Sequence, residues 1–500
     1  MSDVAQPRRI AIVGAGLAGM AAAHAVAQAE AARMQTQPGS PSLRLTLFEA
    51  SSRLGGTIET IRRGGFTIEC GPDSWVSDKP AMRQLALHLG LGDQLIPSND
   101  ALRRNYLVQG RALMPMPDGL RMMVPTRWLP ILESPLFSWQ ARLAYLREPK
   151  RAAELKNQAA ARAEGFDESV RAFVERHFGA EATEKIAGPL LAGVFGGDID
   201  KLSAGAVLAP FVQLERLHGS LIAPMMEAAQ QTVGRAAQAE AKQSGDLPAV
   251  FTTLRDGLGT LIDAIARVLP RDCIQMGVRV TGLRREGEYW QLQREAGGST
   301  KKEVFDAVVL ATPAPVTREL LRPHDAEAAA LLEMEATSAI VVALCWSPEA
   351  SSRLRIPRGF GFLVPPGPAL GSEPTLLAGT FMHQKFAHRA PEGAVFLRGF
   401  FGGEAAVRMM DWTDEAIADA ARAAFARLLG PLPAAQEVVV RRWPLSLPQY
   451  HIGHPVRMAA LAERMRLLPG LVVTGNAYQG VGLPAIVQHA QQAIAALLAC

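Results

Sequence analysis

At 500 residues the chain exceeds one ordinary domain, so two or three packed units are expected. Hydrophobic residues make up 48% and the mean hydropathy is +0.08, ample for large cores, and no stretch reads as a ~20-residue membrane span. Basic residues (52) nearly balance acidic ones (48), leaving +4 and no cationic tract suited to nucleic acid. Cys70, Cys273, Cys345 and Cys500 show no C-x-x-C spacing, which points to a reduced compartment and away from a disulfide framework or metal site. No secretory signal is expected before the first strand.

The chain opens on a β-branched run, Arg9 to Val13, that meets Gly14-Ala15-Gly16-Leu17-Ala18-Gly19 and then an alanine-rich helical stretch. In a dinucleotide fold Gly14 makes the tight turn, Gly16 lets backbone approach a pyrophosphate, and Gly19 lets helix pack on strand. The helix N-terminus then offers free N–H groups to the phosphates. Leu43 to Phe48 alternates as a second strand and ends in Glu49, placed to accept the adenosine ribose hydroxyls. Arg33 to Ser42 reads as an enlarged helix–strand loop. Further on, Asp306 to Pro313 reads as another strand and turn, and Leu471 to Asn476 as a strand ending in a Gly turn. Between 120 and 245 the chain reads mostly as helix, whereas Ser338–Trp346, Thr375–Phe381 and Ala394–Phe401 read as strands.

Directly after Glu49 comes Ala50-Ser51-Ser52-Arg53-Leu54-Gly55-Gly56-Thr57. This E-x3-R-x-G-G segment resembles the flavin amine-oxidase-like superfamily, where it lines bound FAD. Cys70-Gly71-Pro72-Asp73-Ser74 resembles that family's loop over the flavin ring, although the family commonly has Gln and Asn where this chain has Cys70 and Asp73. Asp73 would bring an unusual negative charge near the flavin. The resemblance further implies FAD contacts at Val280, in a segment from Met276 to Leu283 read as one strand, and at Gly475, Asn476, Val481, Gly482 and Leu483. The terminal helix, expected from about Ala485, would aim its N-terminus at the flavin pyrimidine.

The pattern Gly193-Val194-Phe195-Gly196-Gly197-Asp198 followed by Leu202-Ser203 sharpens the resemblance to oxygen-dependent protoporphyrinogen oxidases and the coproporphyrinogen oxidases of the same family. Glu215 to Ile222, Gly359 to Pro365 and Pro448-Gln449-Tyr450 are also family-like. That resemblance implies an α/β fold with a discontinuous Rossmann-type FAD-binding domain (8–98, 250–316 and 465–500). It also implies an α+β substrate domain (99–119 and 317–464) and a mainly helical membrane-binding domain (120–249). It implies that Arg104 grips a substrate carboxylate, with Arg103 as the alternative if the register slips. Gly193, Leu190, Phe360 and Phe362 would lie against the macrocycle. No side chain is expected as a catalyst and no metal site: flavin N5 takes a hydride from a meso carbon, and O2 reoxidises the flavin to give H2O2.

Protoporphyrinogen is the favoured substrate, with coproporphyrinogen as the alternative, for which Arg103, Lys385, His388 and Arg389 are candidate extra carboxylate partners. Pro115 to Tyr145 mixes apolar residues with arginines and could lie in a bilayer interface or form a core helix pair, so a cytoplasmic, membrane-peripheral location is expected. A homodimer is left open. Competing readings are an amine oxidase, a carotenoid desaturase, and a non-catalytic flavoprotein or tetrapyrrole carrier.

Overall fold

The β-branched run at the start forms the middle strand, Arg8–Val13, of a five-stranded sheet. Its order is Ile274–Met276, Leu43–Glu49, Arg8–Val13, Ala307–Leu310, Leu471–Val473, and every pairing is parallel. The computed structural model describes residues 6–36, 41–241, 249–365 and 374–499. Ile10 and Ile12 pack on one face, beneath helices Leu17–Thr36, Gly259–Val268 and Leu483–Ala499. Ala11 and Val13 pack on the other, against the three-stranded antiparallel sheet formed by residues 279–305. Helices on one side and a second sheet on the other explain why Ile10 to Val13 is apolar throughout rather than alternating. The first helix carries the chain to Leu43–Glu49 on one side of the central strand, while Ala307–Leu310 lies on the other. This reversal of strand order opens a crevice at the carboxyl ends of the strands.

A seven-stranded sheet lies beyond, in the order Glu437–Pro448, Ala336–Trp346, Val395–Gly402, Ala378–Phe381, Gly361–Leu363, Asn105–Gln109, Ala112–Pro115. Helix Asp414–Leu429 packs on one face through Ile417, Ala421 and Phe425. The other face meets the hairpin Thr60–Glu69 through Phe66, Ile68 and Phe396. The three strands expected between 338 and 401 all lie in this sheet. Residues 120–241 are mostly helical, with their own core around Tyr145, Phe173, Phe178 and Leu191. Within that core Glu148 and Glu215 bracket the buried His177 at 2.9 and 3.2 Å.

Three local expectations change. The loop expected over Arg33 to Ser42 starts later, because helix Leu17–Thr36 includes Arg33 to Thr36, and 37–40 lie outside the described residues. The segment from Met276 to Leu283 is not one strand: Gly277 at φ +67° turns the chain, ending the parallel strand and starting Arg279–Glu286 of the antiparallel sheet. The terminal helix begins at Leu483, with Pro484 accommodated in its first turn, where a missing N–H costs nothing.

Candidate active site

The crevice begins where the central strand ends. Gly14 sits at φ +97°, and a Cβ there would lie 2.7 Å from the Ala311 carbonyl oxygen on the neighbouring strand's turn. A Cβ on Gly19 would lie 1.8 Å from the Gly14 oxygen, so only glycine lets the helix close on the strand. Gly16 differs: a Cβ there would meet only the Gly56 Cα, at 3.9 Å. Gly55 N–H donates to the Ala15 carbonyl at 2.8 Å, and Gly16 bridges Gly55, so the two glycine motifs form opposite lips of one backbone-lined cleft. Leu17 and Ala18 open the helix whose N-terminus faces this cleft.

Glu49 stands at the carboxyl end of the adjacent strand, as expected. Its Oε2 accepts the Ala15 N–H at 2.7 Å and its Oε1 the Ser51 N–H at 2.8 Å, leaving acceptor capacity on both oxygens. Val278 N–H bonds the Glu49 carbonyl at 2.8 Å, two residues before Val280 in strand Arg279–Glu286. Arg53 serves the loop itself, donating to the carbonyls of Leu54 at 3.0 Å, Ile58 at 2.7 Å and Gly56. It fixes the Gly55-Gly56-Thr57 turn.

Gly71 packs against that turn so closely that a Cβ would lie 1.9 Å from the Thr57 carbonyl oxygen. The loop continues through Pro72, Asp73 and Ser74. Asp73 does not place a free negative charge here. Its carboxylate accepts from Lys385 Nζ at 3.2 Å on both oxygens, from Arg398 Nη1 at 3.1 Å and from Ser74 Oγ at 2.6 Å. Burial alone would raise its pKa, but Lys385 and Arg398 hold it well below the usual carboxylate range. Lys385 and Arg389 are therefore corrected as mouth residues: Lys385 is committed to Asp73, and Arg389, 0% exposed, to Glu69 at 2.9 Å. Arg103 and His388 stay exposed.

The C-terminal segment completes the crevice. Thr474 N–H donates to the Leu310 carbonyl at 3.0 Å, setting Gly475 and Asn476 at the end of the parallel sheet. Tyr450 clamps the loop beyond, its hydroxyl donating to the Asn476 carbonyl and accepting from Gly480 N–H at 3.1 Å. His454 stacks on Tyr450 at 3.9 Å between ring centroids, and its Nε2 donates to the Tyr478 carbonyl at 3.2 Å. Burial lowers the His454 pKa to about 4, so the imidazole is neutral. Val481 packs against the helical core, as does Leu190, while Gly482 and Leu483 lead into the terminal helix.

Gly193 lies on helix Gly188–Phe195, with its missing Cβ 3.4 Å from Leu363. Leu363 is on the strand that pairs in parallel with Asn105–Gln109, next to Arg104. Arg104 is exposed and its side chain meets no polar partner among the described residues. Phe360 is buried at the strand's entrance, its N–H bonded to the Arg104 carbonyl at 2.8 Å. Phe362 is corrected: its ring packs on Phe425 at 5.6 Å and Phe381 at 6.2 Å, inside the sheet–helix core. Alternation along the strand sends Leu363, not Phe362, towards Gly193.

The Asp198–Ser203 segment turns out to be scaffold. Ser203 caps a helix through Oγ at 2.9 Å from Ala206 N, and its own N–H donates to the Tyr450 carbonyl at 2.7 Å. Sequence reasoning missed Arg398 and did not see the Tyr450 clamp. A lone arginine in the apolar run Val395–Gly402 was the available sign of the first.

A cleft lined by glycine backbone, a strand-end acid and a helix N-terminus fits a dinucleotide. The family model for flavin-containing amine oxidoreductases matches residues 17–498. The chain belongs to that family. It is a flavoprotein oxidoreductase, and its dinucleotide is FAD. A coproporphyrinogen III oxidase of Bacillus subtilis is 32% identical over 97% of both chains. A chloroplastic protoporphyrinogen oxidase of Nicotiana tabacum is 28% identical over 96% of this chain and 84% of its own. A solved structure from Exiguobacterium, provisionally named a protoporphyrinogen oxidase, superposes with a TM-score of 0.76 at 27% identity, covering 98% of each chain.

Proposed function

We propose that this oxidoreductase converts coproporphyrinogen III to coproporphyrin III. The observation that carries the choice is the 32% identity, over nearly the full length, to a relative named for that substrate. The sequence reading favoured protoporphyrinogen, and the weaker plant match keeps it as the second reading. The overall reaction removes six hydrogens from the macrocycle and turns three O2 into three H2O2.

FAD would be held by Gly14 to Gly19, Glu49, Gly55 to Thr57, Gly71 to Ser74, Val280, Gly475, Asn476 and Val481 to Leu483. Arg53 holds the second glycine turn in shape. When bound, the flavin supplies the two-electron acceptor for each dehydrogenation. The residues of the chain orient and enclose. Arg104, exposed and without a side-chain polar partner among the described residues, offers a planar fork for a propionate. Gly193 and Leu363, 3.4 Å from its missing Cβ, would offer the macrocycle an apolar wall, with Leu190 on the same helix as Gly193. Buried, neutral His454 and the Tyr450 clamp hold the C-terminal loop still, so that a substrate is positioned rather than chemically activated.

The membrane-peripheral reading is kept as part of this proposal. Segment 115–145 divides: Met123, Val124, Ile131, Phe137 and Tyr145 are core, whereas Trp139 is 70% and Leu129 62% exposed, beside exposed Arg121 and Arg127. Such a mixture suits an interface. No helix among the described residues is long and apolar enough to cross a membrane.

The deciding experiment measures porphyrin fluorescence with FAD-loaded protein and each porphyrinogen in air, corrected for autoxidation. Faster oxidation of coproporphyrinogen is the expected result. Faster oxidation of protoporphyrinogen selects the second reading, and oxidation of neither overturns both.

A further inference from the structure

The charges behind the Gly71–Ser74 loop do not balance. Glu69 is matched one to one by Arg389 at 2.9 Å, but the single carboxylate of Asp73 faces both Lys385 and Arg398. Two carboxylates and three cations leave one positive charge in a cluster where Lys385, Arg389 and Arg398 are 8%, 0% and 1% exposed. Neighbouring groups do not cancel it. Burial lowers the pKa of His383 on the same turn, so it adds no compensating negative charge, and Glu59 and Arg441 form their own pair at 2.8 Å. Nor do hydrogen bonds absorb it fully: Arg389 Nε and Nη1 and Arg398 Nε are buried without an acceptor among the described residues. Maintaining such a charge away from water is unfavourable unless something answers it.

The field reaches the glycine cleft directly. Arg398 Nη2 donates to the Gly71 carbonyl at 2.5 Å, Lys385 Nζ contacts Ser74 Oγ at 3.1 Å, and Gly71 abuts Thr57 of the second glycine motif. We propose that the excess positive charge held by Lys385 and Arg398 around Asp73 raises the reduction potential of the flavin carried in this cleft. The proposal rests on the reading of Gly71–Ser74 as part of the cofactor wall. Each substrate hydride brings two electrons and one proton, so the ring system gains one negative charge. A fixed cation in a poorly hydrated surround stabilises that charge selectively.

The test is the midpoint potential of bound FAD, by dye equilibration, together with the affinity for sulfite. Asp73→Asn is nearly isosteric and leaves a net charge of two in the cluster, so the potential rises and sulfite binds more tightly. Lys385→Met brings the cluster to neutrality, so the potential falls and sulfite binds more weakly. Each shift amounts to about tenfold in the reduction equilibrium constant, or ~30 mV for a two-electron couple. Packing damage would not produce shifts of opposite sign. Two unchanged potentials, or two shifts in one direction, overturn the proposal. If one variant loses FAD, the other decides by the sign of its shift. Wild-type protein that takes up no FAD overturns instead the site reading beneath it.

Discussion

Gly16 and Gly19 sit three residues apart in one motif, yet the structure assigns them different work, and Gly16→Ala separates the two. An added Cβ at Gly16 has 3.9 Å to its nearest neighbour, Gly56 Cα, so the apoprotein tolerates it. Loss of glycine's unfolded-state freedom even favours the variant by ~0.4–1 kcal/mol. The methyl group projects into the cleft between the two glycine lips, where a pyrophosphate must approach backbone. Displacing one charge-assisted hydrogen bond costs ~1.5–3 kcal/mol. The FAD dissociation constant therefore rises roughly 10- to 150-fold. Gly19→Ala places its methyl carbon 1.8 Å from the Gly14 oxygen and must push helix from strand, costing ~1–3 kcal/mol or more in stability. The assay pairs thermal melting of both apoproteins with FAD titration followed by flavin fluorescence. An unchanged FAD affinity in Gly16→Ala, or an apoprotein melting as far below wild type as Gly19→Ala, refutes the division of labour.

Arg104→Ala removes the proposed propionate partner and costs ~2–5 kcal/mol in kcat/KM once the pair is desolvated, with FAD still bound. Unchanged kinetics would remove Arg104 from the site. Gly193→Leu drives a branched side chain towards Leu363, 3.4 Å from its first carbon, and abolishes turnover while the flavin spectrum is kept; substantial activity counts against steric contact. His454, 2% exposed, titrates at about 4 when folded against 6.5 in the unfolded chain. The unfolded state thus binds the extra proton first: stability is full above pH ~6.5 and falls by on the order of 3 kcal/mol towards pH ~4. Melting temperatures of wild type and His454→Gln across that range check this, since the variant should lose part of the acid slope.

Features built from neighbours along the chain were legible without coordinates. The Gly14–Gly19 turn, the strand-end Glu49 and the Gly55-Gly56 pair are local backbone requirements, and each occupies the place its spacing implied. Side chains whose surroundings come from distant segments were not legible. Phe362 and Leu363 are both apolar and adjacent, and only pairing with Asn105–Gln109 and packing of helix Asp414–Leu429 decide which faces Gly193. Gly277 could continue a strand or break it, and the break follows from Val278 bonding back to Glu49.

Charge shows the division most clearly. By itself the sequence determined that a dinucleotide cleft opens this chain, because glycine spacing and strand pattern are short-range constraints on backbone. It also supplied Asp73, Lys385, Arg389 and Arg398, but not their partners. Only the tertiary structure brought residues more than 300 positions apart within 3.2 Å, turning an apparently misplaced acid and two supposed mouth cations into one buried cluster. The physical reason is that an ion pair depends on distance and dielectric, and folding alone sets both.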